Sequence, residues 1–258
     1  PYRPKYWLTV ASEPLREHDF VMVAGYPGRT QRWKMLDEFL FTVQQDNPMR
    51  IGILRDIAEL YNRLADQNED IRIKVTPNIK GVMNHLLLLE LIQENVEQVD
   101  LVDQKMRQQA EFEAWIAGDV QRQKKWGCVL HEIALLNTEH HENTERDYLL
   151  SCIINHVKML DSAHTIVRMA EERPKTDDQR EPDLQQRNWD RIVQSLERLQ
   201  KSYDPIIDKA VLCFYLERIC KLPVDQKESL CKAFTETDFD TQEHIHSYVD
   251  SLFTESLI

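Results

Sequence analysis

The stretch Phe20-Val21-Met22-Val23-Ala24-Gly25-Tyr26-Pro27-Gly28-Arg29-Thr30 runs from an apolar, β-branched segment straight into a turn, and everything beyond it has a helical pattern. Pro27 fixes φ in that turn, and the flanking Gly25 and Gly28 permit positive φ. Upstream, Tyr6–Ala11 alternates bulky and polar residues as a strand does, Ser12–His18 carries Pro14 and charges as a turn does, and Asp19–Ala24 reads as a second strand. Val21, Met22 and Val23 are apolar on both faces, as expected of a strand covered on both sides. A two-stranded hairpin alone is marginal in water, so this β piece needs strands from elsewhere. The expectation is a β remnant over residues 1–33 joined to a helical body over 34–258, a piece of a larger protein.

Working outward, composition fits an ordinary globular body: 42% hydrophobic and 29% charged residues leave enough apolar side chain for a core. Six glycines against ten prolines argue against a many-turned β protein, so the fold class is mainly α. The formal net charge of −12 repels phosphate backbones and excludes nucleic acid and anionic membrane surfaces as expected partners. No apolar run, the obvious Leu86–Leu89 among them, approaches the roughly 20 residues that cross a bilayer. The chain opens at Pro1 rather than Met, so the absence of a leader carries no information. Five cysteines without Cys-x-x-Cys spacing read as small buried hydrophobes. Cys213 and Cys220 stand seven apart on one predicted helix, about 10 Å by helical rise, too far to bridge.

From Leu36 the apolar period becomes helical, with a break expected at Asn47-Pro48 and a new helix through Ile51, Leu54, Ile57, Ala58, Tyr61 and Leu64. Ile71, Ile73 and Val75 alternate like a strand, while Thr76-Pro77 has the form of an N-cap followed by proline at the first helical position. A helix is expected from Thr76, continuing as a rod to about Met106. Asp119 is placed to cap a helix through Trp126, Val129, Leu130, Ile133 and Leu136, and 147–170 reads as another long amphipathic segment. Residues 171–183 hold two prolines and no large apolar side chain, the pattern of a mobile loop. Helices resume at 184–201, 205–221, 225–234 and 241–257. No fixed repeat is present, so an irregular helical bundle is expected rather than a solenoid.

The search for chemistry mostly excludes. None of the nine serines sits in a nucleophile-elbow setting, and Gly25–Gly28 is too short for a phosphate loop and lacks its Lys-Ser/Thr. His131-Glu132 and Glu139-His140-His141-Glu142 lack the i, i+4 histidine pair of a helical zinc site, and His244 and His246, two apart, point to different helix faces. Neither a metal nor a cofactor is expected. Acidic pairs such as Glu94 with Glu97, or Asp238 with Asp240, read as solvated surface. Asn84 differs: an amide within Gly81-Val82-Met83-Asn84-His85-Leu86-Leu87-Leu88-Leu89 is expensive to bury without a hydrogen-bond partner, and the plain alternative is a satisfied packing residue.

The segment Phe20–Thr30 resembles the Phe-Val-Met-Val-x-Gly-Tyr-Pro-Gly-x-Thr segment of the bacterial serine dipeptidyl-peptidases of the type 7 and type 11 family. Phe112–Ile133 is similar to a stretch of that family's helical region, through Ala114-Trp115 and Lys125-Trp126-Gly127 ahead of Val129-Leu130. Ser202-Tyr203-Asp204-Pro205 with Asp208-Lys209-Ala210, and Tyr248-Val249-Asp250-Ser251-Leu252-Phe253, match as well and in family order. The resemblance implies a chymotrypsin-like double β-barrel peptidase with an inserted helical domain that caps the cleft; this chain would be the cap plus two barrel strands. It also implies that the catalytic His and Asp precede Pro1 and the nucleophilic Ser follows Leu252, so the chain carries no catalytic residue. By the same resemblance Asn84 is the cap residue that helps hold the substrate's α-amino group, although Met83 and His85 depart from the family's Asn-Tyr-Trp.

The partners implied are peptides with a free N-terminus, the parent a homodimer, and the location the periplasm or cell surface of a Gram-negative bacterium. Acidic and hydrophobic cleavage preferences both stay open, because the pocket that sets them belongs to the barrel. The rival reading is a stand-alone helical protein-interaction or regulatory domain without catalysis.

Overall fold

The computed structural model describes residues 3, 5–10, 12–22, 25, 34–226 and 241–255. They fall into two units, Pro1–Lys34 and Met35–Ile258.

In the first unit the described residues contain no strand. The turn they contain, at Glu17-His18, is closed by the Asp19 N–H on the Arg16 carbonyl and by the Arg16 N–H on the Asp19 carboxylate at 2.8 Å, with His18 at φ 73. Tyr6, Trp7, Leu8, Val10, Phe20, Val21 and Met22 are all exposed. The strands expected at Tyr6–Ala11 and Asp19–Ala24 are therefore not formed in their described residues. An extended segment is a strand only when a neighbour takes up its backbone N–H and C=O groups, and none does among the described residues. The turn at Tyr26-Pro27-Gly28 lies outside the described residues.

The second unit is helical. Its elements are α1 (Leu36–Phe41), a π-helical turn (Thr42–Asp46), α2 (Asn47–Ala65), α3 (Glu69–Gln98), α4 (Leu101–Ala117), α5 (Val120–Trp126), α6 (Val129–His156), α7 (Lys158–Glu172), a 3₁₀ turn (Pro182–Leu184), α8 (Gln186–Ser202), α9 (Pro205–Ile219) and α10 (Gln242–Glu255). The helix expected at 225–234 lies almost wholly outside the described residues. α2 lies along α3, and α9 packs against α2, α6 and α10. Ile57, Tyr61, Val75, Leu149, Ile153, Val157, Val211, Tyr215, Ile245 and Val249 form the centre of the core. α9 is the axis of this body: Ile207, Val211, Leu212, Cys213, Tyr215, Leu216 and Ile219 bury nearly its whole circumference, the pattern of an internal helix rather than a surface one.

Several boundaries differ from the sequence expectation, each for a physical reason. Asn47-Pro48 does not break the chain, because the π-helical turn carries α1 into α2 and Pro48 occupies the first turn, where its missing N–H costs nothing. α3 starts at Glu69 instead of Thr76. Asn68 caps it by accepting from the Ile71 N–H at 2.9 Å, and Ile71 and Val75 are buried on the core side. Pro77 is therefore inside the helix, leaving the Ile73 carbonyl without its i+4 partner on an exposed side where solvent can take it. The rod to Met106 is interrupted at Val99-Asp100, where Asp100 adopts φ 53. Asp119 does cap a helix, accepting from the Arg122 N–H, but that helix ends at Trp126 and α6 begins at Val129.

The segment 147–170 is cut by extended Val157 (φ −88, ψ 102), and the reason lies fifty residues on. Val157 has no side chain with which to cap α7. The buried Asp208 carboxylate of α9 accepts the N–H groups of Lys158 and Met159, each at 2.8 Å, and caps α7 from outside. α7 and α8 form an arm joined to the body at both ends, to α6 through Val157 and to α9 through Tyr203-Asp204, with α7 packed on α6. Its outer loop is tied by Arg180, whose guanidinium donates to the carbonyls of Glu172, Arg173 and Lys175 and lies over the Trp189 ring. The buried Glu172 carboxylate accepts from Lys175 Nζ and from the Glu181 N–H.

Candidate functional site

α3 is apolar on two opposite sides. Its inner side, with Ile71, Val75, Val82, Leu86 and Leu89, is buried. Polar contacts fix its length: Lys74 Nζ reaches Asp204 of the α9 cap at 2.9 Å, Asn78 Nδ2 lies 3.4 Å from the Tyr61 hydroxyl, and Gln93 Nε2 donates to the Val43 carbonyl at 2.7 Å. The opposite side carries Ile73, Asn84, Leu87, Leu88 and Leu91, all exposed. Spacings of three and four place these residues on one stripe. Lys80, also exposed, lies on this stripe one turn before Asn84, and the leucines follow Asn84 on its C-terminal side.

Asn84 stands in the middle of that stripe and is held by no hydrogen bond to another described residue. Its amide oxygen accepts and its NH₂ donates, so an ammonium group brought to it could be bound by a charge-assisted hydrogen bond to the amide oxygen. The neighbouring His85 is half-buried beside Arg50, and both burial and that guanidinium hold its imidazole below the usual histidine range.

The other residues singled out by sequence are dispersed. Among the described residues no three His, Cys, Asp or Glu side chains converge as a metal site. His141 stacks on Phe41 at 3.6 Å between ring centres, His246 Nε2 pairs with Glu217 at 3.1 Å, and Glu94 accepts from Gln98. Cys213 and Cys220 are not joined by a disulfide. Asp238 and Asp240 lie outside the described residues.

Sequence reasoning misses a polar cluster inside the body. Tyr215 of α9 meets His156 Nδ1 at 2.5 Å, and its hydroxyl and that of Tyr148 both reach the buried Cys152 thiol. Arg50 lies over the Tyr148 ring at 4.4 Å. Burial lowers the His156 pKa to about 4 and pushes the hydroxyls of Tyr148 and Tyr215 above the usual tyrosine range. The partners stand 59 residues apart in the case of His156 and Tyr215, so no local pattern announces them.

The model of the Peptidase S46 family matches residues 1–258. The chain is 26% identical over 211 residues to an Asp/Glu-specific dipeptidyl-peptidase of Shewanella putrefaciens, covering 82% of this chain and 28% of that protein. It is 28% identical over 262 residues to the Asp/Glu-specific dipeptidyl-peptidase of Porphyromonas endodontalis, covering 93% and 34%. Dipeptidyl-peptidase 7 of Porphyromonas gingivalis is 22% identical over 266 residues, covering 100% and 34%. The chain thus spans about a third of the length of these relatives. A match along every part of the chain, the β-like opening as well as the helical body, makes it a member of the Peptidase S46 family.

Proposed function

We propose that this chain is the helical cap of a serine dipeptidyl-peptidase that releases dipeptides from free peptide N-termini, and that Asn84 binds the substrate's α-amino group. The observation that carries the reading is the outer stripe of α3: an exposed amide with no partner among the described residues, followed on the same side by exposed Leu87, Leu88 and Leu91. A helix apolar on both sides makes sense where its second side closes over something, and a peptidase cleft is such a place. The names of the relatives support dipeptide release. The exposed Tyr6, Trp7, Leu8, Val10, Phe20, Val21 and Met22 fit strands completed by a β-barrel that holds the Ser-His-Asp triad. A homodimeric parent in the periplasm or on the surface of a Gram-negative cell completes the reading.

The test is hydrolysis of fluorogenic dipeptides by the full-length parent, with free and blocked amino termini and with Asn84 intact or changed to Ala. Loss of one charge-assisted hydrogen bond, about 1.5 kcal/mol, should raise KM roughly tenfold with little change in kcat. An unchanged KM refutes the role of Asn84. No cleavage across varied dipeptides refutes the peptidase and leaves the protein-interaction reading.

A further inference from the structure

The apolar sides of α7 and α8 face each other without closing. Met159 and Ile166 from α7 and Val193, Leu196 and Leu199 from α8 line a groove of about 420 Å³ between the two helices. Side chains of a tightly packed helix pair bury one another, yet Ile166 is 55% exposed and Val193 47%. The helices are held at this spacing from both ends. At the root Asp208 caps α7, and α8 runs through Tyr203 into Asp204, which Lys74 pins. At the far end Leu184 is buried in the 3₁₀ turn and accepts from Trp189 Nε1 at 2.8 Å. An apolar groove that the fold keeps open, with a few polar groups along it, has the build of a ligand site. None of its lining residues belongs to α3, so it is separate from the stripe around Asn84.

The polar groups of the groove are few and unengaged. Its charged residues are Lys158 and Glu197, and neither forms an ion pair with another described residue. Lys158 Nζ reaches only the Asn155 carbonyl, at 3.5 Å. Ser162 stands one turn after Lys158 on α7, and its hydroxyl has no hydrogen bond to another described residue. Tyr203 closes the root, where its hydroxyl is shut off from solvent and has no partner among the described residues. Burial, with Asp208 and Asp204 nearby, raises its pKa to about 12, so it keeps its proton and is a donor. A buried donor without an acceptor is costly, and an acceptor entering the root of the groove removes that cost.

These groups complement a molecule with an apolar middle and opposite charges at its ends. Lys158, Ser162 and Tyr203 supply donors for a carboxylate, and Glu197 supplies an acceptor for an ammonium. Glu197 stands six residues before Tyr203, roughly 9 Å by helical rise. Two extended residues span about 7 Å, and the flexible Glu197 side chain covers the rest. We propose that the α7–α8 groove binds an apolar dipeptide by its two free ends: the carboxylate at Lys158, Ser162 and Tyr203, the side chains against the apolar walls, and the α-ammonium at Glu197. On the reading proposed above such a molecule is the parent's product, although the binding argument does not rest on that reading.

The test is photolabelling of the intact full-length parent with leucyl-photoleucine, whose second side chain carries a diazirine, followed by mapping of the label by mass spectrometry. The expected label lies within 159–166 and 193–199. Unlabelled Leu-Leu should displace it, and N-acetyl-Leu-Leu or Leu-Leu amide should do so roughly tenfold less well. Tyr203→Phe and Glu197→Gln, which keep size and shape, should each weaken Leu-Leu about tenfold. Asn84→Ala should leave this label unchanged. Absence of label from α7 and α8 overturns the proposal. Displacement by either capped form as strong as by Leu-Leu also overturns it, since the groove is then an apolar surface only, and so does unchanged affinity in Tyr203→Phe and Glu197→Gln. Label that disappears in Asn84→Ala overturns it as well: the probe then sits at the α3 stripe, and amino-group capture stands without the groove.

Discussion

Asp208 supplies the sharpest test of how the body holds together. Replacing it with Ala leaves the N–H groups of Lys158 and Met159 without acceptors at a corner where Val157 offers none. Each hydrogen bond to an ionised acceptor contributes about 1.5–3 kcal/mol, so the pair amounts to about 3–6 kcal/mol. Against this stands the cost of keeping a carboxylate in the core, visible in the upward pull that burial exerts on the Asp208 pKa. The net expected loss for Asp208→Ala is about 3 kcal/mol. In urea, with a slope of about 2–3 kcal/mol/M for a body of this size, the midpoint should fall by about 1–1.5 M. Asp208→Asn keeps one acceptor but turns an NH₂ towards the second N–H, and should lose about half as much. Hydrogen exchange should localise the effect, with the first-turn amides of α7 exchanging faster in both variants. An Asp208→Ala protein within about 0.5 kcal/mol of the parent refutes the claim that α9 caps α7.

Other substitutions test separate contacts. Unfolding free energy should fall with acid through His156: its folded pKa of about 4 lies below the unfolded 6.5, so its contribution is complete above pH 6.5 and is lost as pH drops towards 4. By pH 5 that loss is about 2 kcal/mol, and His156→Gln should flatten this part of the pH–stability curve in calorimetry. Pro77→Ala should restore the missing hydrogen bond to the Ile73 carbonyl and raise stability by about 1–2 kcal/mol in urea melts; a fall instead would mean that Pro77 shapes α3 in a way its backbone chemistry does not reveal. Arg180→Ala should open the outer loop of the arm. Limited digestion with proteinase K should then cut within 173–185 at least several-fold faster, and an unchanged rate would show that the guanidinium does not tie the loop.

Much of the body is legible in the sequence because amphipathic periodicity is local. Ile51, Leu54, Ile57, Ala58, Tyr61 and Leu64 read as one face and are buried as one face. Family membership is legible too, since the separated motifs fall in order along the chain. What stays hidden depends on partners distant in sequence. Thr76-Pro77 looks like a helix start, and only the burial of Ile71 and Val75 against α2 carries the helix through it. The break at Val157 is set by Asp208, and no local pattern around either residue shows that one caps the other. At the candidate site, Asn84 is conspicuous as a polar residue in an apolar run, but its exposure is decided by which side of α3 the core claims. The strands expected before the turn show the converse limit: β-like alternation marks a segment able to pair, and pairing needs an edge to pair with.

The convergence on the first turn of α9 has a consequence for biosynthesis. Lys74 must wait for Asp204, 130 residues later, and the start of α7 for Asp208. At about 5–20 residues per second, α3 leaves the ribosome roughly 7 to 26 seconds before its anchor is made. Through that interval α2, made earlier, can already cover the inner side of α3, while Lys74 and the start of α7 lack their carboxylate partners. The synthesis of α9 is the event that supplies both partners and fastens α3 and α7 to one helix.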